Sequence, residues 1–247
     1  MKKRLVLTGI VLLALTAAVF AATVKKYPKE LAQELITAYD DSMFPKIFKM
    51  TMKMNTVRAG KKPLTFEYLI WSKGNDNSLM EIIFPARDKG KKILLKQDNL
   101  WMYIPDVSRP VRLSRKQSFM GSTFSNEDLM NSTIADDYDA EITAERGNEY
   151  YLVLTAKRRD VAYAKIDLWI DKDKRIPSES TYYGLSGKAI KKMTYGQMKE
   201  FAGRLRPSYM KMADLLEEGA YTEITIGDIT ELKEVPAHIF DQTQMGR

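Results

Sequence analysis

The sequence has no cysteine, and His238 is the single histidine among its 247 residues. Disulfide bonds are therefore excluded, as are metal sites built from cysteine and histidine. A lipid anchor of the bacterial kind, which needs a cysteine after the leader, is excluded for the same reason. The fold must be held together by a hydrophobic core, and we expect no metal and no cofactor.

Catalytic motifs are also scarce. The chain contains neither a G-x-S-x-G nucleophile elbow nor a glycine-rich phosphate loop. The GLSGK segment, residues 184–188, is typical of a hairpin turn. Carboxylates at Asp136, Asp137, Asp139 and Glu141 form a solvated acidic run, and catalysis by a pair of acids stays open. These features favour a binding protein over an enzyme.

The chain begins with MKKRLVLTGIVLLALTAAVFAA. A basic start at Lys2, Lys3 and Arg4 is followed by an apolar run and then by small residues around Ala21. This pattern predicts a secretory signal peptide at residues 1–21, cleaved near Ala21, and hence a periplasmic protein. The alternative is an uncleaved anchor helix, because the apolar run is nearly long enough to span a bilayer.

The formal net charge of the whole chain is +7. The predicted leader contains three basic residues and no acidic one, so residues 22–247 carry a net charge of +4. This mild excess, on an exported chain, argues against a nucleic-acid partner. Residues 22–247 are long enough for one sizeable core, and we predict a single domain there.

Apolar periodicity predicts one helix followed by many strands. In residues 27–44, Leu31, Leu35 and Ile36 recur at helical spacing. From residue 48 the segment FKMTMKMN alternates apolar and polar residues, as a half-buried strand does. Ten further segments indicate strands: 64–71, 78–84, 92–96, 99–104, 139–145, 149–156, 164–171, 178–183, 188–195 and 221–228.

About eleven strands joined by short turns predict a mainly β fold. A sheet of this size curls or closes. We expect a half-open, strongly curved antiparallel β-barrel covered by short helices, with the N-terminal helix against the concave face.

A wide barrel is difficult to fill with its own side chains, and such barrels often hold ligands. The apolar face of the predicted strands is rich in methionine, whose flexible side chain adapts to irregular shapes. Ordinary core filling is the alternative explanation for each of these residues. The candidate lining of an apolar ligand site is Phe48, Met50, Met52, Met54, Phe66, Tyr68, Ile82, Phe84 and Met102.

Three arginines, Arg109, Arg112 and Arg115, follow one another at a spacing of three. Arginine binds phosphate groups well, so these residues are candidates for contact with an anionic lipid headgroup, a membrane surface or a partner. Lys89, Lys91 and Lys92 would add to the same positive field. The alternative is an ordinary solvated surface segment.

The segment FMGSTFSNEDL, residues 119–129, resembles a motif of the outer-membrane lipoprotein-sorting (LolA-like) family. It is most similar to the branch typified by an uncharacterised spirochaete periplasmic domain. In that branch a W-x-Y-x-P strand end, matched here by Trp101, Tyr103 and Pro105, precedes a Met-Gly-Ser-Asp-Phe segment. Thr123 departs from the pattern, which has an acid there. Similar segments follow at residues 170–201, 206–226 and 235–240.

The resemblance implies a half-open barrel covered by helices and a periplasmic carrier of lipid or lipoprotein acyl chains. It also suggests a resistance–nodulation–division (RND) type inner-membrane exporter as partner, with transient membrane contact. We expect a monomer. Two alternatives stay open: a lipid hydrolase using Ser122 or Ser186 with His238, and an exporter accessory protein that transports nothing.

On the same resemblance, residues 117–129 cover one mouth of the barrel. Ser125 would cap a short helix together with Asp128. Phe119, Met120 and Phe124 would reach toward the cavity, or would simply close the core.

Overall fold

The computed structural model describes residues 26–246, apart from residues 106, 108, 131 and 132. The predicted leader, residues 1–21, lies outside the described residues. Among the helices of the described part, none combines the length and the apolar character needed to cross a membrane.

In the described part of the chain, thirteen strands form one antiparallel sheet. They are β1 (Ile47–Val57), β2 (Leu64–Lys73), β3 (Asn77–Phe84), β4 (Lys92–Lys96), β5 (Asn99–Tyr103), β6 (Val111–Arg112), β7 (Tyr138–Arg146), β8 (Glu149–Ala156), β9 (Lys165–Asp171), β10 (Pro177–Tyr183), β11 (Ala189–Phe201), β12 (Arg204–Asp214) and β13 (Tyr221–Glu231).

The prediction of about eleven strands missed β6 and β12. Strand β6 is only two residues long, too short for an alternating pattern to show. The hairpin of β11 and β12 contains the segment GQMKEFAGRLR, residues 196–206, in which polar residues interrupt the alternation. Backbone pairing along almost the whole of both strands forms this hairpin all the same.

The sheet is curved and does not close. Its strands run in the order β6-β5-β4-β3-β2-β1-β13-β12-β11-β10-β9-β8-β7, so β1 pairs with β13 and the free edges are β6 and β7. The chain between these two edges, described at residues 113–130 and 133–137, crosses the inner face of the sheet. Thr123 attaches this segment to the sheet, since its N–H donates to Thr222 Oγ1 (3.0 Å) and its hydroxyl donates to Met212 O (2.9 Å). Threonine thus has its own anchoring role where the family motif has an acid.

The helices are short except for the first. They are α1 (Lys29–Met43), α2 (Asn126–Met130) and α3 (Ile134–Asp137), with 3-10 turns at Ala86–Asp88, Ala237–Phe240 and Gln242–Gln244. The apolar face of α1, including Leu35, Ile36 and Tyr39, is buried in the main core with the inner face of the sheet. The predicted place of the N-terminal helix is confirmed.

The main core lies on the inner face because inward residues alternate along each strand. In β1, Phe48, Met50, Met52 and Met54 are buried, while the intervening residues are mostly exposed. A second, smaller cluster lies on the outer face, where the C-terminal segment packs on the sheet. Its buried members are Leu79, Leu94, Val235, Phe240 and Met245.

Candidate functional site: an apolar cavity under the first helix

A cavity of about 420 Å³ lies between the inner face of the sheet, α1 and the segment that carries α2 and α3. This volume falls in the range of small-molecule sites. Its apolar wall is made largely of methionine and aromatic side chains from many strands. This wall comprises Met43, Phe48, Met50, Met52, Ile70, Met80, Phe124, Met130, Ile166, Met193, Met210 and Ile226.

One end of the cavity is lined by turns and loops. Phe44, Pro45 and Lys46 follow α1, and Gly74 and Asn75 form the turn between β2 and β3. Lys46, Gly74 and Asn75 are exposed to solvent. The mouth of the cavity therefore lies at the end of the sheet where β1 begins.

The wall opposite the apolar one is polar and carries the short helix α2. Ser125 and Asp128 cap this helix reciprocally: Ser125 N donates to Asp128 Oδ2 (2.7 Å), and Asp128 N donates to Ser125 Oγ (3.2 Å). The predicted capping pair is confirmed. Asp128 Oδ2 also accepts a hydrogen bond from Tyr163 Oη (2.6 Å), which in turn accepts one from Lys191 Nζ (2.9 Å). Burial raises the pKa of Tyr163 and lowers that of Lys191.

Asp40 joins α1 to α3 at the edge of the cavity. Its carboxylate accepts hydrogen bonds from Ile134 N (3.2 Å) and Ala135 N (2.9 Å). Burial raises the pKa of Asp40 to about 7, although the two backbone hydrogen bonds act in the opposite direction. Asp40 thus titrates near neutral pH while it holds the two helices together.

Hydroxyl groups in the polar wall also bind one another. Tyr39 Oη lies 3.3 Å from Tyr195 Oη, which lies 3.2 Å from Ser180 Oγ. Burial raises the pKa of both tyrosines, so they stay protonated at neutral pH. Since these polar groups are satisfied within the protein, the cavity mainly offers contact with hydrocarbon.

The structure divides the predicted lining residues into two groups. Phe48, Met50, Met52 and Phe124 line the cavity. The others pack in the core beyond it, because the crossing segment fills that part of the barrel: the ring of Phe119 lies 5.7 Å from that of Tyr68. The residues placed there are Met54, Phe66, Tyr68, Ile82 and Phe119, all buried, with Met102 and Met120 half-buried against them.

Phe84 does not face the cavity. Its side chain is 46% exposed at the end of β3. The cause is a register irregularity between β2 and β3: Tyr68 pairs with Ile82, whereas the preceding residue, Glu67, pairs with Phe84. An extra residue of this kind turns the following side chains to the other face, and the sequence pattern does not reveal it.

Sequence reasoning missed several lining residues. Ile70 and Met80 continue the inward alternation of β2 and β3 and could have been found by extending that pattern. Met193 and Met210 come from β11 and β12, whose strand pattern is partly obscured by polar residues. Tyr163 lies in a connection between strands, and no sequence signal marks it.

The three arginines do not act as one group. Arg109 and Arg112 are exposed, and Arg112 Nη2 donates to Asn99 Oδ1 (2.6 Å). The side chain of Arg115 is 12% exposed and forms ion pairs with Asp137 (2.8 Å) and Glu127 (3.3 Å). The guanidinium of Arg115 therefore faces buried carboxylates rather than the solvent, where the predicted headgroup contact would be made. A spacing of three aligns residues on a helix, whereas this segment is a short strand followed by turns.

The residues considered for a hydrolase lie far apart in the fold. Ser122 is buried in the segment on the inner face, where its hydroxyl accepts a hydrogen bond from Phe124 N (3.2 Å). His238 is exposed in the C-terminal segment on the outer face. Ser186 lies in the exposed turn between β10 and β11. The sheet separates Ser122 from His238, so these two residues cannot form a catalytic pair.

Comparisons with known proteins agree with this architecture. A family model described as "-like: Uncharacterized protein" matches residues 74–247. A LolA superfamily protein from Nitrosomonas europaea is 30% identical, with a TM-score of 0.77, over 85% of this chain and 97% of that one. A DUF1329 family protein from Desulfovibrio piger is 26% identical, with a TM-score of 0.79, over 88% of this chain and 99% of that one.

An outer membrane lipoprotein-sorting protein domain from Vibrio parahaemolyticus has the same fold. Its TM-score is 0.78 at 22% identity, over 89% of this chain and 100% of that one. No curated protein sequence matches the chain. The open sheet with helices over an inner cavity is the fold shared with the LolA superfamily protein. The chain belongs to the LolA superfamily.

Proposed function

We propose that the protein binds acyl chains of lipids or lipoproteins in the cavity under α1 and carries them through the periplasm. The observation that carries this proposal is the cavity itself. Its volume is about 420 Å³, its lining is rich in methionine, and its polar wall is satisfied by internal hydrogen bonds. An apolar lining of this kind selects an apolar ligand.

The energetics of transfer favour such a cavity. Each buried methylene group contributes roughly 0.8 kcal/mol, so a chain of about sixteen carbons gains on the order of 12 kcal/mol in a membrane. A carrier must offset most of this amount and must still release its cargo. Flexible methionine side chains can fit chains of different length and saturation without a single tight binding geometry.

The relatives support the same proposal. The Vibrio parahaemolyticus domain is described as a lipoprotein-sorting protein, and the Nitrosomonas europaea protein belongs to the LolA superfamily. The apolar leader and the relatives together support a periplasmic location. An RND-type exporter as partner and a monomeric state complete the proposal.

The first test is extraction of the exported protein with organic solvent, followed by lipid mass spectrometry. We expect stoichiometric phospholipid or acylated peptide. Lysolipid and free fatty acid that accumulate with time would instead indicate the hydrolase. A protein that contains no lipid and also fails to take up a fluorescent fatty acid would instead support the role of an exporter accessory protein.

The cavity is tested separately by filling it. Met50→Trp places a larger side chain in the apolar wall, and we expect at least about a tenfold loss of affinity for the fluorescent fatty acid, since the site loses room for several methylene groups. Met198→Trp is the matched control, because Met198 is 40% exposed in β11. Equal affinity of both variants would contradict the assignment of the cavity as the site.

A further inference from the structure

The turns at the two ends of the sheet differ in charge. Because every strand pairs antiparallel with its neighbours, six connections lie at the end where β1 finishes, which we call the basic end. These are residues 58–63, 85–91, 104–110, 157–164, 184–188 and 215–220. Their described residues include eleven basic and four acidic ones. Four of the basic residues, Arg87, Lys91, Lys157 and Arg158, form ion pairs with acidic residues at the same end, and the other seven have no such pair among those described. The hairpin turns at the opposite end, residues 74–76, 97–98, 147–148, 172–176 and 202–203, contain three of each.

The basic end also carries exposed leucines. Leu185 is 89% exposed at the tip of the turn between β10 and β11. Leu215 and Leu216 are 46% and 59% exposed in the turn between β12 and β13. The two turns are neighbours, since Leu215 N donates to Ile190 O (2.9 Å) just after the first of them. Large apolar side chains at the tips of adjacent turns are costly to expose and indicate a surface that is covered in use.

Cations flank these leucines on the next turn. Arg58, Lys61 and Lys62 lie in the connection between β1 and β2, and Ala59 N donates to Glu217 Oε1 (3.2 Å) in the turn of Leu216. Lys188 ends the turn of Leu185. Glu217 and Glu218 are the acidic residues of this region, and Glu217 accepts the hydrogen bond from the Ala59 amide. The surface therefore combines protruding leucines with surrounding cations.

We propose that the basic end docks on the surface of an anionic phospholipid bilayer, with Leu185, Leu215 and Leu216 entering the interfacial region. A bilayer fits these observations because exposed leucines insert among acyl chains while lysines and arginines bind the phosphate layer above them. Phe84 and Arg109 lie at the same end and extend the surface. The mouth of the cavity lies at the opposite end, so a docked molecule presents the mouth away from this bilayer, toward a soluble or membrane-spanning partner.

The test is cosedimentation of the protein, exported by its own leader and purified from the periplasm, with vesicles. Its intact mass shows whether the leader has been removed. We expect binding to vesicles that contain phosphatidylglycerol, weak binding to pure phosphatidylcholine vesicles, and weakening by salt. The double variant Leu185→Glu/Leu216→Glu should lower the partition coefficient about tenfold or more, because apolar insertion is lost and negative charge is added.

The matched control is Met198→Glu/Leu205→Glu, which changes two exposed apolar residues at the opposite end, 40% and 42% exposed. This control should bind as the unaltered protein does. Absence of binding to anionic vesicles, or an equal loss in both double variants, would overturn the proposal. Fatty-acid uptake is measured in parallel: it should persist in both variants, so failure of docking and failure of the carrier function are separate results. If the protein binds no vesicles, and Leu185→Glu/Leu216→Glu abolishes crosslinking to a protein partner, the surface is assigned to that protein instead.

Discussion

Arg115 belongs to a basic segment that is typical of a protein surface, yet in the structure it forms buried ion pairs. It follows Arg109 and Arg112 in the sequence, yet its guanidinium lies among Glu127, Asp137 and the more exposed Asp98. These carboxylates belong to α2, α3 and the turn after β4. Arg115 therefore neutralises the acidic groups of the segment that covers the inner face of the sheet.

Replacement of Arg115 should destabilise the protein strongly. Arg115→Leu leaves Glu127 and Asp137 buried without their main counter-charge, and we expect a loss of roughly 3–5 kcal/mol in the free energy of unfolding. Urea denaturation measures this loss. Arg112→Leu is the matched control: its side chain is exposed, so we expect a change within about 0.5 kcal/mol. Similar stability of the two variants would show that the buried ion pairs contribute little.

At the scale of elements, the cavity depends on the connection between α1 and α3. The carboxylate of Asp40 accepts two of the hydrogen bonds that join these helices, and burial raises its pKa from the ordinary value of 3.8 to about 7. A raised carboxyl pKa means that ionisation is harder in the folded protein than in the unfolded chain. The contribution of Asp40 to stability is therefore fully present below about pH 4 and is lost as the pH rises through about 7.

Asp40→Asn should remove this pH dependence. We expect the stability of the unaltered protein, relative to the variant, to fall between about pH 4 and about pH 8. Chemical denaturation across this range measures the difference. Asp160→Asn is the control, because the hydrogen bond from Arg158 lowers the pKa of Asp160 to about 2, so its effect should change only at acid pH. A constant difference for Asp40→Asn would contradict the raised pKa.

The elements themselves were predictable to different degrees. Strands with clear alternation, such as β1 and β2, and the amphipathic helix α1 were found because burial on one face imposes a period on the sequence. Strands β6 and β12 were missed because their sequences lack a clear alternation of apolar and polar residues. Backbone pairing with a neighbouring strand forms them all the same. Phe84 was assigned to the inner face because a register irregularity leaves no trace in a local pattern.

On the scale of the whole molecule, the cavity should link ligand binding to stability. A ligand that binds only the folded state stabilises it by about 2.7 kcal/mol when its concentration is about 100 times Kd. We expect palmitate to raise the Tm of the delipidated protein, because a long chain fills the cavity. Butyrate should leave the Tm unchanged. Thermal unfolding measures both, and equal shifts would indicate binding that does not depend on the acyl chain.

Local sequence patterns are sufficient to predict the class of fold, the inner placement of α1, the cap formed by Ser125 and Asp128, and the apolar wall of β1. Each of these depends on residues close together in the chain, where period and capping rules act locally. Which part of the inner face stays open depends on long-range packing, because residues 113–130 return across the sheet and fill the rest. The tertiary structure also decided the burial of Arg115 and the gathering of basic turns and leucines at one end, since antiparallel pairing brings together residues far apart in the chain.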